Sequence, residues 1–326
     1  MAKWAAVIRE GNLQLAEPVE YLCQGGGSLA KPTASRVRSV PMAGKGRLHH
    51  PTLPRMNTLA FIGGGNMATA IVGGLLRAGT APAAIVIVEP WAPQRAILAA
   101  EFPGVTLHDA ADVSLAQSQI IVWAVKPQQF TAAAAPCKSF VGDALQLSIM
   151  AGVTCASLVA ATGSAAVVRA MPNTPALIGQ GIAGLYAMPG VSEAQRAAVE
   201  QVLAPTGSLL WVAQEADLDA VTALSGSGPA YVFYFLEAMV DAGVQMGLPA
   251  GQARRLAQET FAGAAQLAMR SDDSPATLRE RVTSKGGTTY AAITVLEDAV
   301  VKASFMRALH AARERAVELG AAPAKP

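Results

Sequence analysis

Phe61-Ile62-Gly63-Gly64-Gly65-Asn66-Met67-Ala68 is an apolar run that breaks into three glycines and reopens as an alanine-rich helix. That arrangement suits a dinucleotide pyrophosphate. Side chains on the glycines would block the phosphates, while the amides at the start of the helix face them and its dipole favours their charge. So short a match also fits an unrelated strand-to-helix turn, and the flanking sequence decides between the two. Thr58-Leu59-Ala60-Phe61-Ile62 precedes the loop, and Ala70 to Gly79 follows it with an apolar face that stops at a glycine. Ala84-Ile85-Val86-Ile87-Val88-Glu89 then reads as a second strand, apolar throughout as a strand covered on both faces must be. It ends in an acid 24 residues past Gly65, and the three segments together predict a β-α-β unit.

Further strands are expected at 118–125, 145–150, 165–171 and 181–186, alternating with helices as in a doubly wound sheet. From about Asp217 long alanine-rich helical patterns take over and run to Gly320. The fold class is therefore α/β, a Rossmann-type doubly wound sheet over 56–216, followed by an all-α dimerisation and substrate domain over 217–321. Residues 1–55, rich in Gly, Pro, Ser and basic residues, are expected to be a disordered extension or the product of a misassigned start at a chain that begins near Met56. The helix from Pro229 to Gly247 is apolar nearly all round, more than one small domain covers, so a partner subunit in an isologous pair is expected over it.

At 326 residues and 52% hydrophobic content the chain builds a large core. A net charge of +2 excludes a nucleic-acid footprint, and residues 1–55 alone hold eight Lys or Arg against three Glu. The stretch Pro229 to Leu248 carries Glu237 and Asp241, which makes it a poor membrane span. Cys23, Cys137 and Cys155 form neither a metal-ligand spacing nor a disulfide framework, which fits a reducing cytoplasm. The four histidines are scattered, so no metal site is expected.

Four more motifs carry chemistry. Ala124-Val125-Lys126-Pro127 sits where a strand ends at the carboxyl edge of the sheet, as a cofactor contact made mainly by backbone or as a turn with a solvated lysine. Met171-Pro172-Asn173-Thr174-Pro175 fixes a polar pair at another strand end, either an ordinary turn or a means of orienting a nicotinamide carboxamide. Ser225-Gly226-Ser227-Gly228-Pro229 opens the apolar helix with a serine cap and an early proline, its glycines allowing close approach. Ser284-Lys285-Gly286-Gly287-Thr288-Thr289 interrupts the helical region with adjacent amides at a helix start, either a seat for a carboxylate or a loop whose threonine merely caps the helix.

Taken in order, these five motifs resemble pyrroline-5-carboxylate reductase from Met56 to about Gly320. The resemblance implies reduction of 1-pyrroline-5-carboxylate to L-proline by NADPH or NADH, with hydride adding to C5 of the cyclic imine in a site shared by two subunits. It implies an interlocked homodimer, with a dimer of dimers or a decamer as open higher orders. Ile62, Gly63, Gly64, Gly65, Asn66 and Met67 would hold the pyrophosphate, and Ala124, Val125, Lys126 and Pro127 the adenosine side. Asn173, Glu89 and a subunit-crossing Arg281 complete the expected cofactor contacts. Ser284, Thr288 and Thr289 would receive the carboxylate and ring nitrogen, with Thr289 as hydrogen-bonding or proton-donating group. Glu215 and Thr222 would line the pocket near the imine, Glu215 as electrostatic partner of an iminium. Glu89 would accept from an NADH ribose and repel a 2′-phosphate, Arg95 and Arg281 could offset that repulsion, and the preference stays open. Lys285 is expected to point to solvent.

A β-hydroxyisobutyrate-type dehydrogenase would need a lysine and an asparagine along the central helix, and Pro229 to Leu248 has neither. A non-catalytic dinucleotide sensor would need no Gly-Gly-Thr-Thr seat.

Overall fold

The computed structural model describes residues 58–321; the expectation for residues 1–55 lies outside them. Eight strands form one sheet: β1 (Leu59–Ile62), β2 (Ile85–Val88), β3 (Thr106–His108), β4 (Ile120–Trp123), β5 (Leu145–Ser148), β6 (Val167–Met171), β7 (Gly181–Ala187) and β8 (Gly207–Trp211). Their order is β3-β2-β1-β4-β5-β6-β7-β8. The first six stand in the doubly wound order expected of a dinucleotide fold, all parallel. β7 then runs antiparallel to β6, and β8 parallel to β7.

Helices α1 (Asn66–Arg77), α2 (Ala92–Glu101), α3 (Phe130–Ala134), α4 (Cys155–Thr162) and α5 (Glu193–Leu203) cover the two faces. Ile71, Val72 and Leu75 of α1, Leu98 of α2 and Val199 and Val202 of α5 pack on one side with Phe61, Ile85 and Leu147. Phe130 of α3 and Leu158 of α4 pack on the other with Ala60, Ile121 and Trp123. β1, β2 and β4 are apolar at every position because both their faces are covered, and each fully buried Leu, Ile or Phe contributes roughly 1.5–3 kcal/mol. The buried Gln146 is satisfied: its Oε1 accepts from Trp123 Nε1 and its Nε2 donates to the carbonyls of Val141 and Ala144.

β3 and β8 lie at the two edges and are additions to the strands expected. β3 is only three residues long, and β8 has exposed Ser208 and Leu210 on one face, so neither shows the apolar run of an inner strand.

After Trp211 every described element is helical: α6 (Asp217–Val221), a π-helical turn (Thr222–Gly226), α7 (Gly228–Gln245), α8 (Ala250–Met269), α9 (Pro275–Arg281), α10 (Thr288–Asp298) and α11 (Val301–Ala321). These pack with the sheet as one compact unit. The serine cap expected at the start of α7 is absent. Ser227 has helical dihedrals and no capping bond, and Ser225 Oγ donates back to the Val221 carbonyl, because the chain enters α7 from the π-turn rather than from a loop. Pro229 does stand in the first turn.

Of α7 only Gly243 is buried, where an added Cβ would lie 2.8 Å from Ala253 Cβ of α8. Val232, Phe233, Tyr234, Met239 and Val244 are exposed on it. So much apolar surface on consecutive turns marks a contact face. No helix among the described residues is long and apolar enough to cross a membrane.

Candidate active site

The carboxyl ends of β1, β2, β4 and β6 open on one edge of the sheet, and their exits touch. Gly63 N–H donates to the Val88 carbonyl, and Ala124 N–H to the Ile62 carbonyl. Gly63 has φ +99°, and a Cβ on it would lie 2.8 Å from the Ala124 carbonyl oxygen, so this first glycine is required by the backbone itself. Gly65 differs. It precedes α1 with extended dihedrals, makes no side-chain cap, and a Cβ on it would meet no atom within 4 Å. The amides that open α1 therefore face open space at the positive end of a 12-residue helix. These residues fit a dinucleotide pyrophosphate, with Gly65 and Asn66 exposed, Met67 half-buried, and Ile62, Gly63 and Gly64 buried beneath them.

Glu89 leaves β2 into the same edge, but its carboxylate is already engaged. Oε2 accepts the Gly64 N–H and Oε1 the Trp91 N–H, both at 2.9 Å. Gln94 Nε2 donates to the Gly64 carbonyl at 2.7 Å, and Arg95 Nη1 donates to the carbonyls of Glu89 and Pro90. The second glycine is thus pinned through both backbone groups by the chain that follows β2. Gln94 was not expected from the sequence, where it is one polar residue of a helix start. Ala124, Val125 and Pro127 are half-buried against this edge, and Lys126 is exposed.

Asn173 leaves β6. Its Oδ1 accepts from Ile182 N–H at 3.0 Å and its Nδ2 donates to the Ser225 carbonyl at 3.2 Å. The side chain thus joins the sheet edge to the π-turn, and its carboxamide is occupied by protein groups at both ends. π-turns are rare and gather at functional sites. This one is held by Thr222 Oγ1 donating to the Leu218 carbonyl, by Tyr231 Oη donating to the Ala223 carbonyl, and by Met171, whose Cε lies 2.6 Å from where a Cβ on Gly226 would stand.

Glu215 is half-buried below the π-turn, and its Oε1 accepts from Arg169 Nη1 and from Cys155 N–H, both at 2.7 Å. An iminium partner is expected here; in this protomer the carboxylate balances the guanidinium of Arg169 in the middle of β6 and accepts the first amide of α4. Arg169 itself was missed. Its signal was there to read, since an arginine inside Val167–Met171 is a charge in a buried strand and demands a partner. Burial pushes the Cys155 thiol up to about 12, the Glu215 carboxylate adding to the effect, and burial pushes that of Cys137 up to about 11.

The Gly-Gly-Thr-Thr segment forms the turn between α9 and α10. Gly286 has φ +76°, Gly287 N–H donates to the Ser284 carbonyl, and Gly287 precedes α10 with no side-chain cap. The amides of Thr288, Thr289 and Tyr290 open an 11-residue helix and have no carbonyl within it to meet. Ser284, Lys285, Thr288 and Thr289 are all exposed. Arg281, at the end of α9, closes a two-pronged ion pair with Asp273, one prong at 3.0 Å, so its guanidinium serves the α9 turn rather than a cofactor within this protomer. Among the described residues no hydrogen bond or ion pair joins residues 284–289 to the edge of the sheet.

Comparison with known proteins agrees with both halves of this picture. Residues 215–319 match the family described as pyrroline-5-carboxylate reductase dimerisation, and residues 58–152 that described as NADP oxidoreductase, coenzyme F420-dependent. A pyrroline-5-carboxylate reductase of Pseudomonas aeruginosa is 46% identical over 263 residues, covering 80% of this chain and 96% of the relative. One from Pisum sativum is 36% identical, covering 82% and 98%. Among solved structures, the pyrroline-5-carboxylate reductase of Coxiella burnetii superposes with a TM-score of 0.75 at 36% identity, over 82% of this chain and all of that one. The Plasmodium falciparum enzyme with NADP bound gives 0.74 at 28%, over 82% and 99%. The chain belongs to the pyrroline-5-carboxylate reductase family.

Proposed function

We propose a division of labour between the two seats for the reaction of this family, the NAD(P)H-dependent reduction of 1-pyrroline-5-carboxylate to L-proline. The amides opening α1, above Gly63, Gly64 and Gly65, hold the pyrophosphate; Ala124 to Pro127 border the adenosine side, and Asn173 places the loop that frames the nicotinamide. When bound, the reduced nicotinamide supplies the hydride that C5 of the ring accepts. Ser284, Thr288 and the amides opening α10 receive the substrate carboxylate, and Thr289 donates a hydrogen bond or proton to the nitrogen of the neutral imine, favouring the iminium. Hydride adds more readily to an iminium than to a neutral imine, so the site needs a protonated ring and anchored carboxylate rather than a strong base.

The observation that carries this reading is the pair of uncapped helix starts, α1 at the sheet edge and α10 at the Gly-Gly-Thr-Thr turn. The second is exposed and makes no polar contact with the first, while α7 bares an apolar face. Both features support an interlocked, isologous homodimer in which one protomer lends its residues 284–289 to the other's sheet edge. Light scattering tells whether pairs assemble further. Cys137 and Cys155, free and buried, support a reducing cytoplasm.

Thr289→Ala is expected to lower kcat by about 10²-fold, the span of a single positioned proton donor, while the Kd for NADPH stays within a factor of three. An equal loss of cofactor affinity would refute the assignment.

A further inference from the structure

The sheet and the helical half are joined by the connector Glu215 to Gly226, and β6 with the turn that leaves it grips that connector three times. Arg169, in the middle of β6, meets Glu215 Oε1 at 2.7 Å. Met171 packs on Gly226, and Asn173 donates to the Ser225 carbonyl. From β7, Gly184 leaves room for Val221, whose side-chain carbon stands 2.7 Å from where a Cβ on that glycine would be. Of these contacts only the first is charged, and its guanidinium half is nearly enclosed: Arg169 is 7% exposed, against 30% for the Glu215 side chain. Its Nε is buried without a hydrogen-bond partner, so the guanidinium depends on Glu215 for its compensation. Glu215 in turn accepts the first amide of α4, so one carboxylate oxygen ties β6, α4 and the connector together.

We infer that Arg169 is a positioning residue for the reduction: through Glu215 it fixes where the connector leaves the sheet, and with it the angle at which α7 and the Thr222 turn meet the cofactor edge. The inference rests on the site reading above. Arg169 lies within β6 and Asn173 two residues past its end, so the same strand sets both the ion pair and the loop that leaves it. Asp219, one turn along α6, and Arg313 of α11 face the same charges; Arg313 and Arg169 both favour the Asp219 carboxylate, although burial raises its pKa overall. α11 is held against α7 by Phe305, whose ring meets those of Tyr231 and Phe235 edge-on at 5.6 Å. A shift at Glu215 is therefore transmitted to α7 and α11 as a body. Reaction geometry is sensitive to such shifts, since a misplacement of about 1 Å can cost on the order of 10²-fold.

The test is a double-mutant cycle on the full chain with Glu215→Gln, Arg169→Met and the pair, reading kcat, substrate KM, the Kd for NADPH by fluorescence titration, and the melting temperature. Glu215→Gln keeps the shape and an oxygen acceptor but leaves the buried guanidinium without a counter-charge, whereas Arg169→Met leaves a partly exposed carboxylate that still accepts the Cys155 amide, so Arg169→Met gives the folded reference where Glu215→Gln alone does not fold. Each foldable single variant is expected to lose roughly 10–100-fold in kcat with the NADPH Kd within threefold. The pair is expected to be no worse than the poorer single variant, because both remove one interaction. Losses that multiply in the pair would overturn the inference and return Glu215 to direct contact with the imine, as would an Arg169→Met enzyme with unchanged kcat. Thr289→Ala, assayed alongside, separates the two readings: full turnover there sinks the assignment of Thr289 to the ring nitrogen and leaves the cycle interpretable.

Discussion

The three loop glycines look alike in sequence, yet the structure predicts different outcomes when two of them gain a methyl group. Gly63→Ala places a side chain at φ +99°, where left-handed backbone costs roughly 1–2 kcal/mol. Its Cβ would stand 2.8 Å from the carbonyl oxygen and 2.9 Å from the carbonyl carbon of Ala124, both main-chain atoms that cannot rotate away. Parting the exits of β1 and β4 adds an overpacking cost of about 1–3 kcal/mol. The sum, about 2–5 kcal/mol, is a fall in Tm of very roughly 5–15 °C for a chain of this size. Gly65→Ala meets nothing, at φ −74°. Losing glycine at a helix cap and reducing the freedom of the unfolded chain are opposing effects, each on the order of 0.5–1 kcal/mol, so stability should hold. The new methyl would instead occupy the space through which phosphates reach the first amides of α1, costing tenfold or more in NADPH affinity, at least about 1.4 kcal/mol. Melts with and without NADPH, together with fluorescence titration, separate the two effects. The reasoning fails if Gly65→Ala binds NADPH like the parent, or if Gly63→Ala melts with it.

Glu89→Ser removes a carboxylate from the ribose edge and should shift the ratio of kcat/KM values toward NADPH by about tenfold, a part of the ~4 kcal/mol that two charges 4 Å apart exchange near a protein surface. Because it also frees the Gly64 and Trp91 amides, NADH affinity should fall in the same variant; an unchanged ratio would remove Glu89 from cofactor choice. The Cys155 thiol, held at about 12 in the fold against about 9 ordinarily, keeps its proton where the unfolded chain loses it. The folded state then binds more protons, so stability declines as pH rises from about 9 toward about 12. Cys155→Ala should flatten the pH dependence of the urea midpoint between pH 8.5 and 10.5, roughly the lower part of that window, and a slope equal to the parent's would contradict the assignment.

The inner strands and the glycine loop after β1 were legible because their physics is local. A strand covered on both faces has to be apolar throughout, and a turn that brings Gly63 against Ala124 can be made only by glycine. The Gly-Gly-Thr-Thr turn was legible for the same reason, with Gly286 at positive φ and Gly287 opening α10. What the chain did not disclose are pairings between distant residues. Glu89, expected to accept from a ribose, also accepts from the amides of Gly64, 25 positions earlier, and of Trp91. Glu215 was given to the imine, while its partner Arg169 lies 46 positions before it. Asn173, expected at a nicotinamide or in a plain turn, is also a strut to Ser225, 52 positions on. Edge strands escaped for another reason: Thr106–His108 is too short to show a period, and Gly207–Trp211 alternates only weakly.

The bare flank of α7 has a thermodynamic corollary. With Phe233 and Tyr234 more than half uncovered in a lone protomer, much of the apolar surface that would stabilise the helical half is buried only against another copy. Resistance to heat or urea then belongs to the solution as much as to the fold. For a two-chain assembly that unfolds as it separates, every tenfold dilution withdraws about 1.4 kcal/mol, so a melting temperature measured at micromolar protein describes a sturdier object than the same chain at nanomolar.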